Sequence, residues 1–246
     1  STIITLLAGV IGLCIGRRAE SRMGEREGYV IVAKVWVVFS AFGLLPYYLS
    51  GQVPSLTDAW FESMSGFTTT GATIIPDLDV ITHGLLFWRS LTQWIGGMGI
   101  IVLSIAILPI FGLNGMQLYA AEVSGLTYEK LSPRIADTAK MMWSTYLILT
   151  ATEVLGLWLC GMPIFDAVCH SFSTIATGGF STKNNSLAFY DSAAIHYLVT
   201  FFMFISGINF VILIYLVRGK ARNFFRDEEL RWYTVAVILF ALLLTI

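Results

Sequence analysis

Apolar residues run through this chain in long blocks, and the polar positions are short, clustered interruptions between them. Blocks rich in Leu, Ile, Val and Phe lie near residues 2–16, 30–50, 84–110, 138–160, 192–217 and from 232 onward. A helix that crosses a bilayer needs roughly 20 apolar residues. The pattern therefore predicts an all-α membrane protein with complete spans in the middle and a partial span at each end. Lys34, Lys140 and Arg231 fall near helix ends, where a long side chain can carry its charge to the interface. Arg89 and Glu153 do not. Arg89 lies just inside its span, placed to brace neighbouring polar groups such as Glu62 or loop carbonyls, to reach the outer interface, or to meet an ion. Glu153 lies deep in its span and calls for a polar neighbour.

Two interruptions share one pattern. "DAWFESMSGFTTTGAT" (58–73) aligns without gaps on "DAVCHSFSTIATGGFS" (166–181) at an offset of 108 residues. Ser63 then meets Ser171, Ser65 meets Ser173, Thr69 meets Thr177, Gly71 meets Gly179, and Thr73 meets Ser181. Each segment sits between one span and the next, so the predicted unit is span, loop, span, used twice. The same offset brings Gly99 onto Gly207, where glycine permits close helix packing or a hinge.

Asp58 and Asp166 read as helix N-caps. The roughly ten residues after each are mostly apolar or small, and ten residues of helix reach about 15 Å, half the hydrocarbon thickness. Such a helix enters halfway and turns back. A non-helical return at membrane depth is tolerated only where it is buried in protein or lines a watery cavity. Glycine opens backbone angles closed to other residues, so carbonyls there can turn toward one axis and replace the water shell of a cation. The C-terminal dipole of the short helix points to the same place. The candidate cation ligands are the carbonyls of Thr69, Thr70, Gly71 and Ala72 in the first loop and of Thr177, Gly178, Gly179 and Phe180 in the second. A pair of wet Ser/Thr-rich loops is the plain alternative, and it leaves the duplication without a reason.

Composition agrees with a membrane solvent: 56% of residues are hydrophobic and 13% charged, against roughly 45–50% and about 25% in soluble domains. The net charge of -1 carries little information, whereas the placement of basic residues does. Residues 51–83 contain no Lys or Arg and residues 161–191 contain only Lys183, so both loops belong outside and the basic connections inside. The outer side also carries Asp58, Glu62, Asp77, Asp79, Asp166 and Asp191, either as scattered surface carboxylates or as an acidic mouth that concentrates cations.

Other chemistry is thin. His170 beside Ser171 and Ser173 resembles the beginnings of a nucleophilic site, but no third group orients it. Cys14, Cys160 and Cys169 have no metal-type spacing and read as packing residues. No phosphate loop, dinucleotide fingerprint or zinc spacing is present. The expectation is a protein that is not an enzyme and that takes no organic cofactor and no nucleic acid.

The two loop segments, with "QWIGGMGIIVLSIAILP", "GMQLYAAE" and "SPRIADTAK", resemble the Trk/Ktr/HKT superfamily of potassium transporters, and its bacterial TrkH branch in particular. The resemblance covers about residues 24–218. It implies helix, re-entrant pore loop, helix units as in potassium channels, with Gly71 and Gly179 as filter glycines and K+ as the transported ion. It also implies a bacterial inner-membrane location with pore loops entering from the outer side, a homodimer of the full-length protein, and a cytoplasmic ring of nucleotide-binding regulatory subunits of the TrkA/KtrA kind. The units expected are 1–28, the end of a preceding helix and a cytoplasmic loop; 29–110, the first pore repeat; 111–136, a cytoplasmic connection; 137–218, the second pore repeat; and 219–246, a loop and the start of a third. The connection would contain a helix starting at Ser132-Pro133 and would either dock the ring or serve this chain alone. The chain itself reads as the N-terminal half of a longer protein. An ion-coupled secondary transporter built from broken-helix repeats is the alternative.

Overall fold

A computed structural model describes residues 1–16, 25–111, 135–217, 219 and 221–245. The segment 112–134, with the helix start expected at Ser132-Pro133, lies outside the described residues. Among the described residues every regular element is helical. In chain order they are α1 (Thr2–Gly16), α2 (Glu25–Gly43), α3 (Leu45–Leu49), α4 (Leu56–Phe67), α5 (His83–Phe111), α6 (Ile135–Leu159), α7 (Ile164–Ile175), α8 (Ala193–Ser206), α9 (Phe210–Val217), α10 (Ala221–Arg226) and α11 (Glu228–Thr245).

The apolar blocks map onto α1, α2 with α3, α5, α6, α8 with α9, and α11, but two of them are interrupted. The block near 30–50 breaks at Leu44, where Pro46 opens the first turn of α3. The block near 192–217 breaks after Ser206, with Gly207 as the C-cap of α8. Other blocks carry polar load within the helix, such as Glu228, Glu229 and Arg231 on α11. Among the described residues no helix is long and apolar enough to cross a membrane by itself.

The short helices α4 and α7 are each 12 residues long, about 18 Å at 1.5 Å per residue. Their starts differ from the sequence expectation. α4 is capped by Ser55, whose hydroxyl accepts from the Asp58 N–H at 3.3 Å. α7 follows Pro163, whose side chain forms no cap. Asp58 and Asp166 instead occupy the first turn, where a carboxylate still favours the positive helix end.

α5 is the central post. It packs against α2 and α4 on one side and against α6 and α7 on the other. Around α4, Leu44, Tyr47, Val53, Ala59, Ile75, Leu78, Leu85 and Leu86 form one buried cluster. Around α7, Leu157, Met162, Ala167, Tyr190, Ile195 and Val199 form another. A third, of Met98, Tyr146, Ile175 and Phe202, joins the halves, and Trp94 stacks on Phe172 with ring centroids 5.1 Å apart. By contrast α1 and α11 leave apolar side chains such as Leu6, Ile11, Leu239 and Leu242 uncovered.

The close approaches on α5 lie at Gly96 and Gly97, three and two positions before the glycine singled out from the sequence. A Cβ on Gly96 would overlap the Phe67 carbonyl at the end of α4, and one on Gly97 would press on Ala176 at the end of α7. α5 can therefore touch the ends of both short helices only because it carries no side chains there. A Cβ on Gly99 would make only ordinary contact, 3.6 Å from Trp36. A Cβ on Gly207 would overlap the Tyr233 hydroxyl of α11, so that glycine is required for packing.

Candidate functional site

α4 and α7 end in the same way. The Thr69 N–H donates to the Gly66 carbonyl at 3.0 Å and the Thr70 N–H to the Ser65 carbonyl at 3.0 Å. In the second loop Thr177 donates to Thr174 at 2.9 Å and Gly178 to Ser173 at 2.8 Å. This is the paired C-cap in which the residue after the cap turns left-handed, a place usually taken by glycine. Here it is threonine: Thr69 has φ 53° and Thr177 φ 54°. A β-branched residue there costs about 1–2 kcal/mol, and such strain gathers at functional sites. Two residues on, Gly71 (φ 77°) and Gly179 (φ 86°) are left-handed again. Each loop thus alternates in hand over the stretch named from sequence.

The loops touch. Gly71 lies so close to the Gly178 carbonyl oxygen that a Cβ would overlap it, and a Cβ on Gly178 would overlap the Gln93 side-chain amide. The structure therefore brings the first segment, Thr69 to Ala72, against the second, Thr177 to Phe180.

Each outgoing segment is fastened to its short helix by side chains at matching positions. In the first loop, Glu62 accepts from the Thr73 hydroxyl at 2.9 Å and from the Ile74 N–H at 3.1 Å. At the matching position of the second loop, His170 Nε2 lies 3.1 Å from the Ser181 hydroxyl. Its Nδ1 faces the Asp166 carbonyl at 2.8 Å. A carbonyl only accepts, so Nδ1 carries the proton and Nε2 accepts from Ser181. Ser181 Oγ in turn accepts from the Lys183 N–H at 3.0 Å. His170 is thus a brace on a strand, and the Ser171 hydroxyl beside it has no partner.

Arg89 is 1% exposed and braces both loops. Its Nε donates to Glu62 Oε1 at 2.7 Å, Nη1 donates to the Ser181 carbonyl at 3.1 Å, and the guanidinium lies 4.1 Å from the centre of the Phe180 ring. Of the roles open to it from the sequence, bracing is the one observed. One turn further along α5, Gln93 Oε1 accepts from the Phe180 N–H at 3.2 Å. Sequence reasoning passed over Gln93; the signal available was a polar pair spaced i, i+4 on an otherwise apolar helix. Glu153 is fully buried on α6 with neither carboxylate oxygen hydrogen-bonded, and the polar group turned toward it is the Thr174 hydroxyl of α7.

Fewer of the loop carboxylates stand free than the sequence suggests. Glu62 and Asp166 are buried and engaged, Asp166 by the Thr182 hydroxyl at 2.7 Å and by the Lys183 ammonium at 3.8 Å. Asp58, Asp79 and Asp191 remain exposed. Asp77 is held below its ordinary carboxylate range, chiefly by a hydrogen bond from the Asn184 amide and then by the Asp79 N–H. Of the cysteines, Cys169 is buried and Cys160 half-buried, while Cys14 lies on the uncovered face of α1. Among the described residues no cluster of His, Cys, Asp and Glu is placed to hold a metal ion.

The TrkH family model, described as a cation transport protein, matches residues 2–246. The chain belongs to the TrkH family. It is 47% identical over 234 residues to the Trk system potassium uptake protein TrkH of Salmonella typhimurium, covering 94% of this chain and 48% of that protein. It is 34% identical to the Trk system potassium uptake protein TrkG of Escherichia coli, over 97% of this chain and 51% of that protein. Among solved structures it matches the potassium transporter TrkH from Vibrio parahaemolyticus with a TM-score of 0.80 and 40% identity, over 97% of this chain and 49% of that one. The chain spans about half the length of these relatives. TrkH members are membrane transport proteins and not enzymes.

Proposed function

We propose that this chain contributes two adjacent loops to the ion filter of a potassium uptake pore in a bacterial inner membrane. The carrying observation is the matched alternation of left-handed residues at Thr69 and Gly71 and at Thr177 and Gly179, in two loops that touch. A regular strand sends successive side chains and carbonyls to opposite sides. Reversing the hand of alternate residues brings neighbouring carbonyls toward one side, as a dehydrated cation requires. α4 and α7 enter as re-entrant helices from the outer side and point their negative ends at the same place.

On this reading residues 29–110 and 137–218 are two pore repeats, and the remaining wall of the pore comes from the other half of the full-length protein. That protein works as a homodimer, with a cytoplasmic nucleotide-binding ring as regulator. The test is uptake of potassium, rubidium and sodium by full-length protein carrying Gly71→Ser or Gly179→Ser. Reduced potassium flux or altered preference is expected, and unchanged flux and preference in both variants sinks the filter assignment.

One observation favours a second reading. The helix following the second loop is broken between Ser206 and Phe210, and broken helices form the binding sites of many ion-coupled carriers. Obligatory co-transport of a second ion at carrier turnover rates would decide for it.

A further inference from the structure

Arg89 and Gln93 stand one turn apart on α5 and grip consecutive residues of the neighbouring loop: Gln93 takes the Phe180 N–H at 3.2 Å and Arg89 gives to the Ser181 carbonyl at 3.1 Å. Each also faces the first loop. Arg89 is paired with Glu62, the brace of that loop. Gln93 is 0% exposed, and its Nε2 has no hydrogen-bond partner. That nitrogen sits 3.7 Å from the point a Cβ on Gly71 would occupy. The amide cannot be turned over to relieve it, because Nε2 would then meet the Phe180 N–H, donor against donor. A buried amide N–H2 without an acceptor is costly. It marks a polar group kept for the place it occupies, at the seam between the two loops.

We propose that Arg89 and Gln93 form a clamp across this seam, and that Gln93 is a positioning residue for ion selectivity. It fixes how far the carbonyls of Thr177 to Phe180 stand from those of Thr69 to Ala72, and hence which cation radius the oxygens fit. This rests on the filter reading above. The clamp occurs once among the described residues. At the same offset of 108 residues along the chain, positions 89 and 93 become Tyr197 and Phe201, aromatic side chains that are 78% and 57% exposed. The polar pair that holds the seam between the first and second loops is therefore not repeated at the matching positions of the helix that follows the second loop.

The experiment uses the full-length transporter in liposomes, with Gln93→Met, Gln93→Asn and, as a check on the filter itself, Gly179→Ala. Potassium and sodium uptake are measured with half-saturation and maximal rate determined separately. Met fills the volume of Gln without its hydrogen bonds. Asn keeps an amide but is too short to reach the Phe180 N–H and fill the seam beside Gly71 together, and it decides the matter if the Met variant does not accumulate. The expected result is a potassium-over-sodium ratio lowered roughly fivefold to tenfold, the scale of one hydrogen bond. The half-saturation concentration for potassium should rise with maximal rate within about twofold. A lowered maximal rate with ratio and half-saturation unchanged in both Gln93 variants means a merely structural role and overturns the clamp. If Gly179→Ala shifts the ratio while the Gln93 variants do not, the clamp fails and the filter reading stands. If Gly179→Ala, and with it Gly71→Ser, leaves both potassium flux and the ratio unchanged, the filter reading fails and takes the clamp with it.

Discussion

The loop after α4 and the loop after α7 have the same backbone and different fastenings. Their short helices are of equal length, their C-caps use the same pairs of hydrogen bonds, and their left-handed residues fall at the same positions. The first loop is held mostly from within, by Glu62 on Thr73 and Ile74 and by the Ser65 hydroxyl on the Ala72 carbonyl at 2.5 Å. The second is held partly from outside, by Gln93 and Arg89 of α5, with His170 and Asp166 as its own contributions. In the first loop the brace is a buried charge with its counter-charge; in the second it is a neutral imidazole. The backbone geometry is what the two loops share, and several side-chain solutions can enforce it.

The largest way to break the comparison is at the charged brace. Arg89→Leu leaves Glu62 buried without its cation, and removing one partner of a buried pair costs about 3–5 kcal/mol. His170→Leu removes a neutral hydrogen bond and leaves the Ser181 hydroxyl short of an acceptor, at about 1–3 kcal/mol. Thermal unfolding of the purified full-length protein should therefore fall much further for Arg89→Leu. The double variant Glu62→Gln with Arg89→Leu should recover part of the loss, because no orphan charge remains. Equal losses at Arg89 and His170 would mean that the ion pair is not the element holding the first loop.

The next contrast is between the two glycines. Both are left-handed, so Gly179→Ala pays the conformational cost of about 1–2 kcal/mol. Gly71→Ala pays it too and in addition drives its methyl group into the Gly178 carbonyl, so the second loop must move to receive it. The expected order in both stability and potassium uptake is wild type, then Gly179→Ala, then Gly71→Ala. The reverse order would show that the loops do not abut at Gly71.

Much of this was legible from the sequence, and the reasons it stopped where it did are physical. The 108-residue offset lines up the short helices, and the glycines fall at the left-handed positions because only glycine adopts them without strain. Thr69 and Thr177 could not be foreseen there, since threonine is a poor left-handed residue and is held by hydrogen bonds that form only once the helix ends. Asp58 and Asp166 have the chemistry of caps, but the helices begin earlier, at Leu56 and Ile164. Glu62 was open to two readings, a surface carboxylate or the partner of Arg89, and the second is the one the packing realises across 27 positions. Gln93 had only its i, i+4 spacing from Arg89 to mark it, because the residue its oxygen serves lies 87 positions away. Local pattern locates elements; cross-loop fastening depends on packing that the pattern does not encode.

A smaller test uses matched serines. Ser65 and Ser173 occupy equivalent places, but Ser65 bonds the Ala72 carbonyl while the Ser173 hydroxyl is buried without a partner. Ser65→Ala should cost about 1 kcal/mol, whereas Ser173→Ala should be neutral or slightly stabilising, since it removes an unsatisfied group. Thermal unfolding of the two variants side by side separates these outcomes. A matching loss at Ser173 would mean that its hydroxyl is engaged as Ser65 is.

The smallest expected effect lies where the outer parts of the two loops meet. Asn184 Nδ2 donates to Asp77 at 2.8 Å and to Asp79 at 3.0 Å, while its Oδ1 accepts from the Leu78 N–H at 2.7 Å. The clasp has a charged half and a neutral half, and pH can tell them apart. A carboxyl held below its ordinary range contributes stability that is present above its unfolded value, about 3.9 for Asp, and lost as pH falls through the depressed folded value. The difference in thermal stability between wild type and Asn184→Ala should therefore be the same at pH 7 and pH 5, and should shrink only below about pH 4. Salt should diminish it as well, because these groups are exposed and screened. The bond to Leu78 responds to neither. A difference that persists undiminished through acid and high salt would assign the clasp to that neutral bond, and would leave Asp77 and Asp79 as charges that contribute nothing to it.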